Sequence, residues 1–415
     1  MKPTLFTFEN WREIGATLAR NKTRTFLTAF GIFWGTAMLG MLWGGARGFE
    51  GIMRRNFSNI PSNLGAVSSD VRSISYKGFN KGSWYDLTAQ DVKQIRRLAP
   101  YIELSSEINT ISVKAAYGSH SKSGRGIGVE TDYTKIMNPV LYEGRFINSS
   151  DNAASRKVVV IGRNVAPELF GTESPIGKYV CINGIYMKCI GVAGQSGEAS
   201  IAGRIDDSFI MPASTLRRAF NRGNKVDFMV FTTKAGHKPT ENFPVIRRIV
   251  SANHTIHPDD ENAIYLSDMS EMFEMINSVF LGISLLALFV GASSLIAGII
   301  GVGNIMWIIV KERTHEFGIR RAIGAKPSDI TIQVLSESVV LTLVAGTAGV
   351  CFAAAVLAAA DRISADPLLG YAGFEIPFST AIGIIVIFFI LGSAAGTLPA
   401  VKAMRIKPIE AIRDK

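Results

Sequence analysis

Cysteine and charge are both scarce in this chain. Its 415 residues include three cysteines, too few for a disulfide framework. Charged residues make up 19% of the chain, below the roughly 25% of an ordinary soluble domain. The deficit is concentrated in a few long uncharged segments, and the rest has an ordinary composition. This pattern is typical of an integral membrane protein that carries a soluble domain.

Motifs for catalysis, nucleotide binding and metal binding are also missing. Gly171–Tyr179 resembles a phosphate-binding loop, but it has one residue too many between the glycines and a Tyr where Ser or Thr should hold magnesium. Gly124–Gly128 lacks the spacing of a dinucleotide site. His254 and His257 could ligate a metal, but a polar loop is the better interpretation. We predict that the chain is not an enzyme and holds no catalytic, cofactor-binding or metal-binding residues.

Nucleic acid is not an expected partner, although the net charge is +10. Most of the basic excess lies beside the apolar segments, as the orientation rule for membrane loops predicts. The expected surroundings of the chain are therefore a lipid bilayer.

Four segments are apolar enough to cross a bilayer, which takes about 20 residues each. We predict an α-helical membrane protein with four transmembrane helices and a large mixed α/β periplasmic domain between the first two. The predicted order is a cytoplasmic amphipathic segment (1–24), a first helix (25–47), a periplasmic domain (48–275), a second helix with a stalk (276–310), a cytoplasmic elbow (311–329), a third helix (330–360), a short periplasmic loop (361–375), a fourth helix (376–401) and a cytoplasmic tail (402–415).

The distribution of Lys and Arg predicts the orientation. The N-terminal segment, the elbow and the tail are all basic, whereas the loop at 361–375 mixes acidic and basic residues. Both termini and the elbow are then cytoplasmic. The second apolar run is longer than a roughly 30 Å hydrocarbon core requires, so we expect it to project beyond the bilayer.

Small residues predict how the helices pack. The first helix carries two GxxxG motifs, which favour a dimer interface, with packing inside one chain as the alternative. Their residues are Gly31, Gly35, Gly40 and Gly44. For Glu337, near the start of the third helix, an interhelical or headgroup contact is favoured over a proton relay.

The external domain shows recognisable local patterns. Thr88 begins a helix, Lys157–Ile161 is a buried strand, and Tyr179–Ile190 is a hairpin around an Asn-Gly turn. That turn pairs Cys181 with Tyr186 and places the two hairpin thiols on opposite faces, so a disulfide between Cys181 and Cys189 needs another register.

The elbow is short, charged and expected to be helical, with Gly324 and Pro327 at its end. Phe317 and Ile323 are apolar residues next to Arg320 and Arg321. This mixture favours contact with a protein partner over a solvated turn.

Gly301–Ile330, which contains the elbow, resembles the signature of FtsX-like permeases, in particular the MacB type. The likeness extends over nearly the whole chain through Asn10–Glu13, Glu143–Phe146, Pro175–Lys178 and Pro399–Arg413. The resemblance implies a subunit of an inner-membrane ABC transporter that acts by mechanotransmission, in which the elbow is a coupling helix on the ATPase. The implied coupling residues are Lys311, Glu312, Arg313, Glu316, Phe317, Gly318, Arg320, Arg321 and Gly324.

The resemblance also implies partners. These are a second permease chain as homodimer or heterodimer, a periplasmic adaptor and an outer-membrane channel. MacB-type chains carry their own nucleotide-binding domain, but this sequence has no Walker A loop, so we expect a separate ATPase to hold ATP and magnesium. The resemblance places an inserted lobe at about 115–227.

Three functions remain open. Efflux of a small molecule or peptide leads; a lipoprotein-releasing permease and a regulator of an extracytoplasmic enzyme are the alternatives. The sequence does not identify the cargo.

Overall fold

The computed structural model describes residues 22–365 and 370–404. The described residues form two compact units, one from residues 22–52, 279–365 and 370–404 and one from Met53–Ser278. The amphipathic segment predicted at 1–24 and the tail predicted at 402–415 lie mostly outside the described residues.

Helices make up most of the first unit and occur between the strands of the second. In chain order they are α1 (Lys22–Asn56), α2 (Ala89–Leu98), α3 (Tyr133–Met137), α4 (Ser149–Ala153), α5 (Val165–Phe170), α6 (Ala213–Ala219), α7 (Phe243–His254), α8 (Met269–Glu312), α9 (Thr314–Ala322), α10 (Pro327–Ile363) and α11 (Phe378–Met404). Short 3-10 helices cover Ile205–Asp207 and Pro239–Asn242.

The strands all belong to the second unit. They are β1 (Leu64–Ser69), β2 (Leu87–Thr88), β3 (Ile102–Tyr117), β4 (His120–Val129), β5 (Val140–Gly144), β6 (Val158–Gly162), β7 (Tyr179–Ile182), β8 (Ile185–Gly194), β9 (Ser208–Pro212), β10 (Lys225–Val226), β11 (Phe228–Thr233) and β12 (Ile264–Asp268).

Within the described residues, four helices are long and apolar enough to cross a membrane. They are Thr25–Asn56, Met269–Glu312, Pro327–Ile363 and Phe378–Lys402. The four predicted membrane helices are therefore confirmed. The first three helices are longer than the apolar segments that predicted them, because helical hydrogen bonding continues past the last apolar residue.

The four long helices share an apolar core. Ile32 of α1 packs with Met306 of α8, Leu341 of α10 and Phe388 of α11. Small residues bring α10 and α11 together, since the Ser338 hydroxyl donates to the carbonyl oxygen of Gly392 at 3.1 Å. The Cβ that Gly392 lacks would collide with Thr342. This close approach is how helices associate where lipid removes the hydrophobic driving force.

The second unit is built on a mixed sheet. Within the described residues its ten strands run β12-β1-β11-β3-β4-β9-β6-β8-β5, with β7 paired to β3 and β8. Pairs β4–β9 and β6–β8 are parallel. Strand β3 is 16 residues long, so it pairs with β11 near its start and with β4 further on. The mixed α/β prediction is confirmed.

Local sequence signals in this unit proved reliable. The Thr88 hydroxyl accepts from the Asp91 N–H at 3.3 Å, and the Asp91 carboxylate accepts from the Thr88 N–H at 2.7 Å, which caps α2. Cys181 pairs with Tyr186 as the Asn-Gly turn predicts. Cys181 and Cys189 are both free thiols, and burial raises the pKa of Cys189 to about 11.

The second unit has three apolar cores, two of which draw on separate parts of the sequence. One core draws on residues 67–102 and 226–266, and another on residues 111–220. A third core contains residues from both groups of strands. The inserted lobe at 115–227 stays a prediction, because one continuous sheet passes through both regions.

Candidate functional site

The elbow is a short helix set between two long ones. Helix α8 ends at Glu312, and Arg313 leaves helical geometry with φ −95° and ψ 11° before α9 begins. Gly324 then takes φ +106°, a left-handed conformation that only glycine adopts without strain. Pro327 begins α10, whose first turn lacks intrahelical N–H bonds in any case. The backbone conformations of Arg313 and Gly324 and the proline at 327 therefore mark the boundaries between α8, α9 and α10.

Phe317 is the buried anchor of α9. Its side chain is 0% exposed. It packs in one cluster with Val310 of α8, Ile330 and Val334 of α10, and Ala400 of α11. The Arg313 guanidinium lies over the Phe317 ring at 5.2 Å. Phe317 therefore contacts its own chain, and its part in coupling to an ATPase stays a prediction.

A charged network reinforces this attachment. Arg313 Nη1 donates to Glu337 Oε1 at 3.0 Å, and Arg313 Nε donates to Glu316 Oε2 at 3.0 Å. Glu316 also accepts from Arg320 at 3.1 Å, and Arg320 donates to Gln333 at 3.1 Å. The network ties α9 to α10 by side-chain hydrogen bonds, which are stronger when one partner is charged.

Burial and charge act in opposite directions on Arg313. Burial by itself lowers the pKa of the guanidinium, but hydrogen bonds and charges from Glu316 and Glu337 outweigh it and raise the pKa. Glu337 is 1% exposed. Its contact with Arg313 joins the end of α8 to α10, so the predicted interhelical contact is confirmed.

The outward face of the elbow is apolar with a basic surround. Ile319 is 42% exposed and Ile323 is 82% exposed. Two residues four apart lie on one side of a helix, whereas Phe317 and Ile323 point about 120° apart at 100° per residue. Helical spacing therefore places Phe317 on a different side of the elbow from the two isoleucines, but it does not show which side is buried. Lys311 and Lys326 are also exposed.

The remaining predicted coupling residues differ in how far they are buried. Glu316, Arg320 and Arg321 are half-buried on α9, and Gly318 is buried. Glu312 is exposed at the end of α8. Sequence reasoning missed Gln333, which lies four residues before Glu337 in an otherwise apolar stretch of α10. That polar pair at helical spacing was the available signal.

The glycines of α1 mostly serve packing inside the chain. A Cβ at Gly35 would lie 2.9 Å from Ser294, and one at Gly40 would lie 2.8 Å from Ala353. Gly44 is closed off by Leu357. Packing inside one chain, the alternative to a dimer interface, therefore accounts for the contacts of these three residues, and a dimer interface on α1 stays a prediction. Gly31 faces open space.

The rejected motifs of the second unit have structural roles. In the segment Gly171–Tyr179, which resembles a phosphate-binding loop, Lys178 forms an ion pair with Glu173 of the same segment. His254 Nε2 lies 2.8 Å from Asp91 Oδ2 in a buried contact. Across residues 22–365 and 370–404, no cluster of three His, Cys, Asp or Glu side chains could hold a metal.

Two family profiles cover most of the chain. The MacB-like periplasmic core domain matches residues 25–242, and the FtsX-like permease C-terminal domain matches residues 276–408. The chain belongs to the MacB-like family of FtsX-like permeases. The second profile includes the whole elbow.

Named relatives of this permease agree. The chain is 30% identical over 403 residues to the macrolide export ATP-binding/permease protein MacB of Bdellovibrio bacteriovorus, which covers 96% of this chain and 60% of that protein. It is 28% identical over 397 residues to the pyoverdine export ATP-binding/permease protein PvdT of Pseudomonas aeruginosa, covering 95% and 58%. The chain thus spans about three fifths of the length of these curated relatives.

A solved structure shows a weaker likeness. The periplasmic region of MacB from Actinobacillus actinomycetemcomitans matches with a TM-score of 0.43 and 17% identity, over 54% of this chain and 96% of that one. That score is too low to bear on function.

Proposed function

We propose that this permease transmits ATP-driven motion from a separate cytoplasmic ATPase to its second unit, in an export system of the inner membrane. The observation that carries the proposal is the elbow, which the FtsX-like profile includes and which is anchored on three helices. A helix fixed to α8, α10 and α11 can pass a displacement to all of them together.

The exposed face of α9 supports docking at this point. Ile319 and Ile323 form an apolar stripe, and interface centres are enriched in such residues while charge lies at the rim. Phe317 and Arg313 face inward and hold α9 in place. The elbow therefore divides docking and transmission between different residues.

The proposed orientation has the elbow and both termini in the cytoplasm and Met53–Ser278 in the periplasm. The basic residues that flank the apolar helices support it. ATP and magnesium would bind the ATPase, and this chain would hold no cofactor.

Export is the favoured direction of transport. Relatives at 27–30% identity are named for macrolide and pyoverdine export. Use of a periplasmic adaptor and an outer-membrane channel belongs to the same proposal.

A second permease chain completes the proposed complex. On α1, Phe26, Phe30 and Trp34 are exposed in one stacked row, and Gly31 is open beside them. This face supports contact with another chain better than the glycines packed inside the unit.

The test compares two isoleucines with similar exposure. Ile323 is 82% exposed in the elbow, and Ile363 is 86% exposed at the last residue of α10, about 55 Å along that helix. Each is replaced by Asp in the tagged full chain, and co-purifying ATP hydrolysis is measured. We expect Ile323→Asp to lower it about tenfold, the effect of losing about 1.4 kcal/mol at an interface. Ile363→Asp should leave it unchanged.

Other results would reject specific parts of the proposal. Equal ATPase recovery with Ile323→Asp would reject docking at the elbow. ATP hydrolysis by the purified chain itself would reject a separate ATPase. Lipoproteins retained in the inner membrane after depletion would favour the lipoprotein-releasing alternative, and loss of an extracytoplasmic enzyme activity without an export defect would favour the regulator.

A further inference from the structure

The second unit contains a cleft that the coupling role does not use. Its volume is about 520 Å³, within the roughly 300–1,000 Å³ of small-molecule sites. One wall is the outward side of α7, and the other is the turn at Tyr76. Pro244 and Pro258 are exposed and supply apolar surface.

Three cations line this cleft: Lys77, Arg247 and Arg248. Arg247 Nη1 donates to the backbone carbonyl oxygens of Asp260 at 3.5 Å and Glu261 at 3.0 Å, which positions the guanidinium without neutralising it. Among residues 22–365 and 370–404, no carboxylate oxygen lies within 4.0 Å of any of these three cations. Elsewhere in this unit, basic side chains such as Arg217 and Arg222 are paired with acids.

The neighbouring acids are oriented to other groups. Asp260 is 1% exposed, and its carboxylate accepts from Ser73 N at 2.8 Å, Ser73 Oγ at 2.6 Å and Ile74 N at 3.0 Å. Asp259 has an 86% exposed side chain, 3.9 Å from His257. Neither carboxylate neutralises the cations of the cleft.

The turn that carries Lys77 has an unusual backbone. Lys77 has φ +43° and Gly78 has φ +89°, and Tyr76 and Phe79 exchange backbone hydrogen bonds of 3.0 and 2.9 Å. Positive φ at both central residues is the geometry of a tight two-residue hairpin turn, which fixes the backbone that carries Lys77. The Tyr76 ring is held edge-on against His257, with centroids 5.1 Å apart.

Ser251 lies on the α7 wall of the cleft. Its hydroxyl oxygen is buried and has no hydrogen-bond partner among the described residues, so the proposed site does not depend on it.

We propose that this cleft binds a small organic anion, with its carboxylate or phosphate held by Arg248, Arg247 and Lys77 and its apolar body against Tyr76 and Pro244. Guanidinium groups match the geometry of both anions. The site does not rest on the proposed coupling function, and it can be tested without any ATPase.

The test uses three probes with one body: 2-naphthoate, 2-naphthyl phosphate and the neutral 2-naphthamide. Saturation-transfer NMR measures their binding to the full chain in phosphatidylcholine nanodiscs, with empty nanodiscs subtracted. Arg248→Gln removes an exposed cation, and Arg218→Gln is the matched control, since Arg218 is exposed on α6 and does not line the cleft. Lys77→Gln is a second, independent variant.

We expect saturable binding of at least one anion and weaker binding of the amide. Arg248→Gln and Lys77→Gln should each raise the dissociation constant about fivefold, in the range of one charge-assisted contact, and Arg218→Gln should not change it. Absence of saturable binding by both anions, equal binding of the amide, or an equal effect of Arg218→Gln would overturn the proposal.

Discussion

Replacing Phe317 by Ala should detach the elbow from its supporting helices. The side chain is fully buried among residues of α8, α10 and α11, so its removal leaves a cavity as well as losing contacts. Truncation of a buried Phe costs about 3–5 kcal/mol. The Arg313 guanidinium over the ring also loses its partner, which places the expected loss in the upper part of that range.

The measurement is equilibrium unfolding of the full chain in mixed micelles, followed by tryptophan fluorescence. Trp307 reports on the end of α8, and Lys402 Nζ lies 3.5 Å from its ring centroid. Ile319→Ala is the matched control, because Ile319 is on the same helix and 42% exposed, and its loss should cost less than about 1 kcal/mol. If the two variants are equally stable, the elbow is not anchored by Phe317.

A functional readout separates anchoring from docking. Phe317→Ala leaves Ile319 and Ile323 in place, so we expect an ATPase still to co-purify while its effect on transport falls. Ile323→Asp should instead lose the ATPase itself. If Phe317→Ala transports at the wild-type rate, rigid attachment of α9 is not needed for transmission.

Three further predictions concern other contacts. A double-mutant cycle of Arg313→Gln and Glu337→Gln should give a coupling energy of about 1–3 kcal/mol, since both side chains are at most 10% exposed, and additivity would contradict the pair. Burial acts to raise the pKa of Asp91, but its hydrogen bonds outweigh burial and lower the pKa from the ordinary 3.8 to about 2. The ionised carboxylate therefore stabilises the fold by about 2 kcal/mol above pH 4, and this stabilisation is lost as the pH falls toward 2. Asp91→Asn should flatten the pH dependence of unfolding in that window, and an unchanged profile would contradict it. Gly349→Ala should separate α10 from α1, because the added Cβ would lie 2.5 Å from the Phe33 carbonyl oxygen; wild-type stability in micelles would refute that contact.

Much of the fold could be predicted because its signals are local. The length of an apolar run is set by the bilayer and the helical rise, so four membrane helices follow from composition alone. The Thr88 cap and the hairpin at Cys181 likewise depend on residues a few positions apart. The family likeness rests on short motifs such as Gly301–Ile330.

The position of the candidate site in the chain could be predicted from the sequence, but the burial of its individual side chains could not. The sequence indicated that the elbow meets a partner, and Ile323 is indeed exposed. It did not indicate that Phe317 is buried, because that depends on Val334 and Ala400, which lie on two other helices. The glycines of α1 show the same limit, since a GxxxG motif favours close packing without saying which helix packs there.

The sequence by itself therefore determined where the membrane helices lie, where the charged elbow interrupts them and which family the chain belongs to. These properties depend on neighbouring residues and the thickness of a bilayer. Only the tertiary structure decided which face of α9 is free, which charges are neutralised and that Lys77, Arg247 and Arg248 share one cleft. Those outcomes depend on residues of different elements, more than 150 positions apart for Lys77 and Arg248, and no local pattern records which of these side chains will meet.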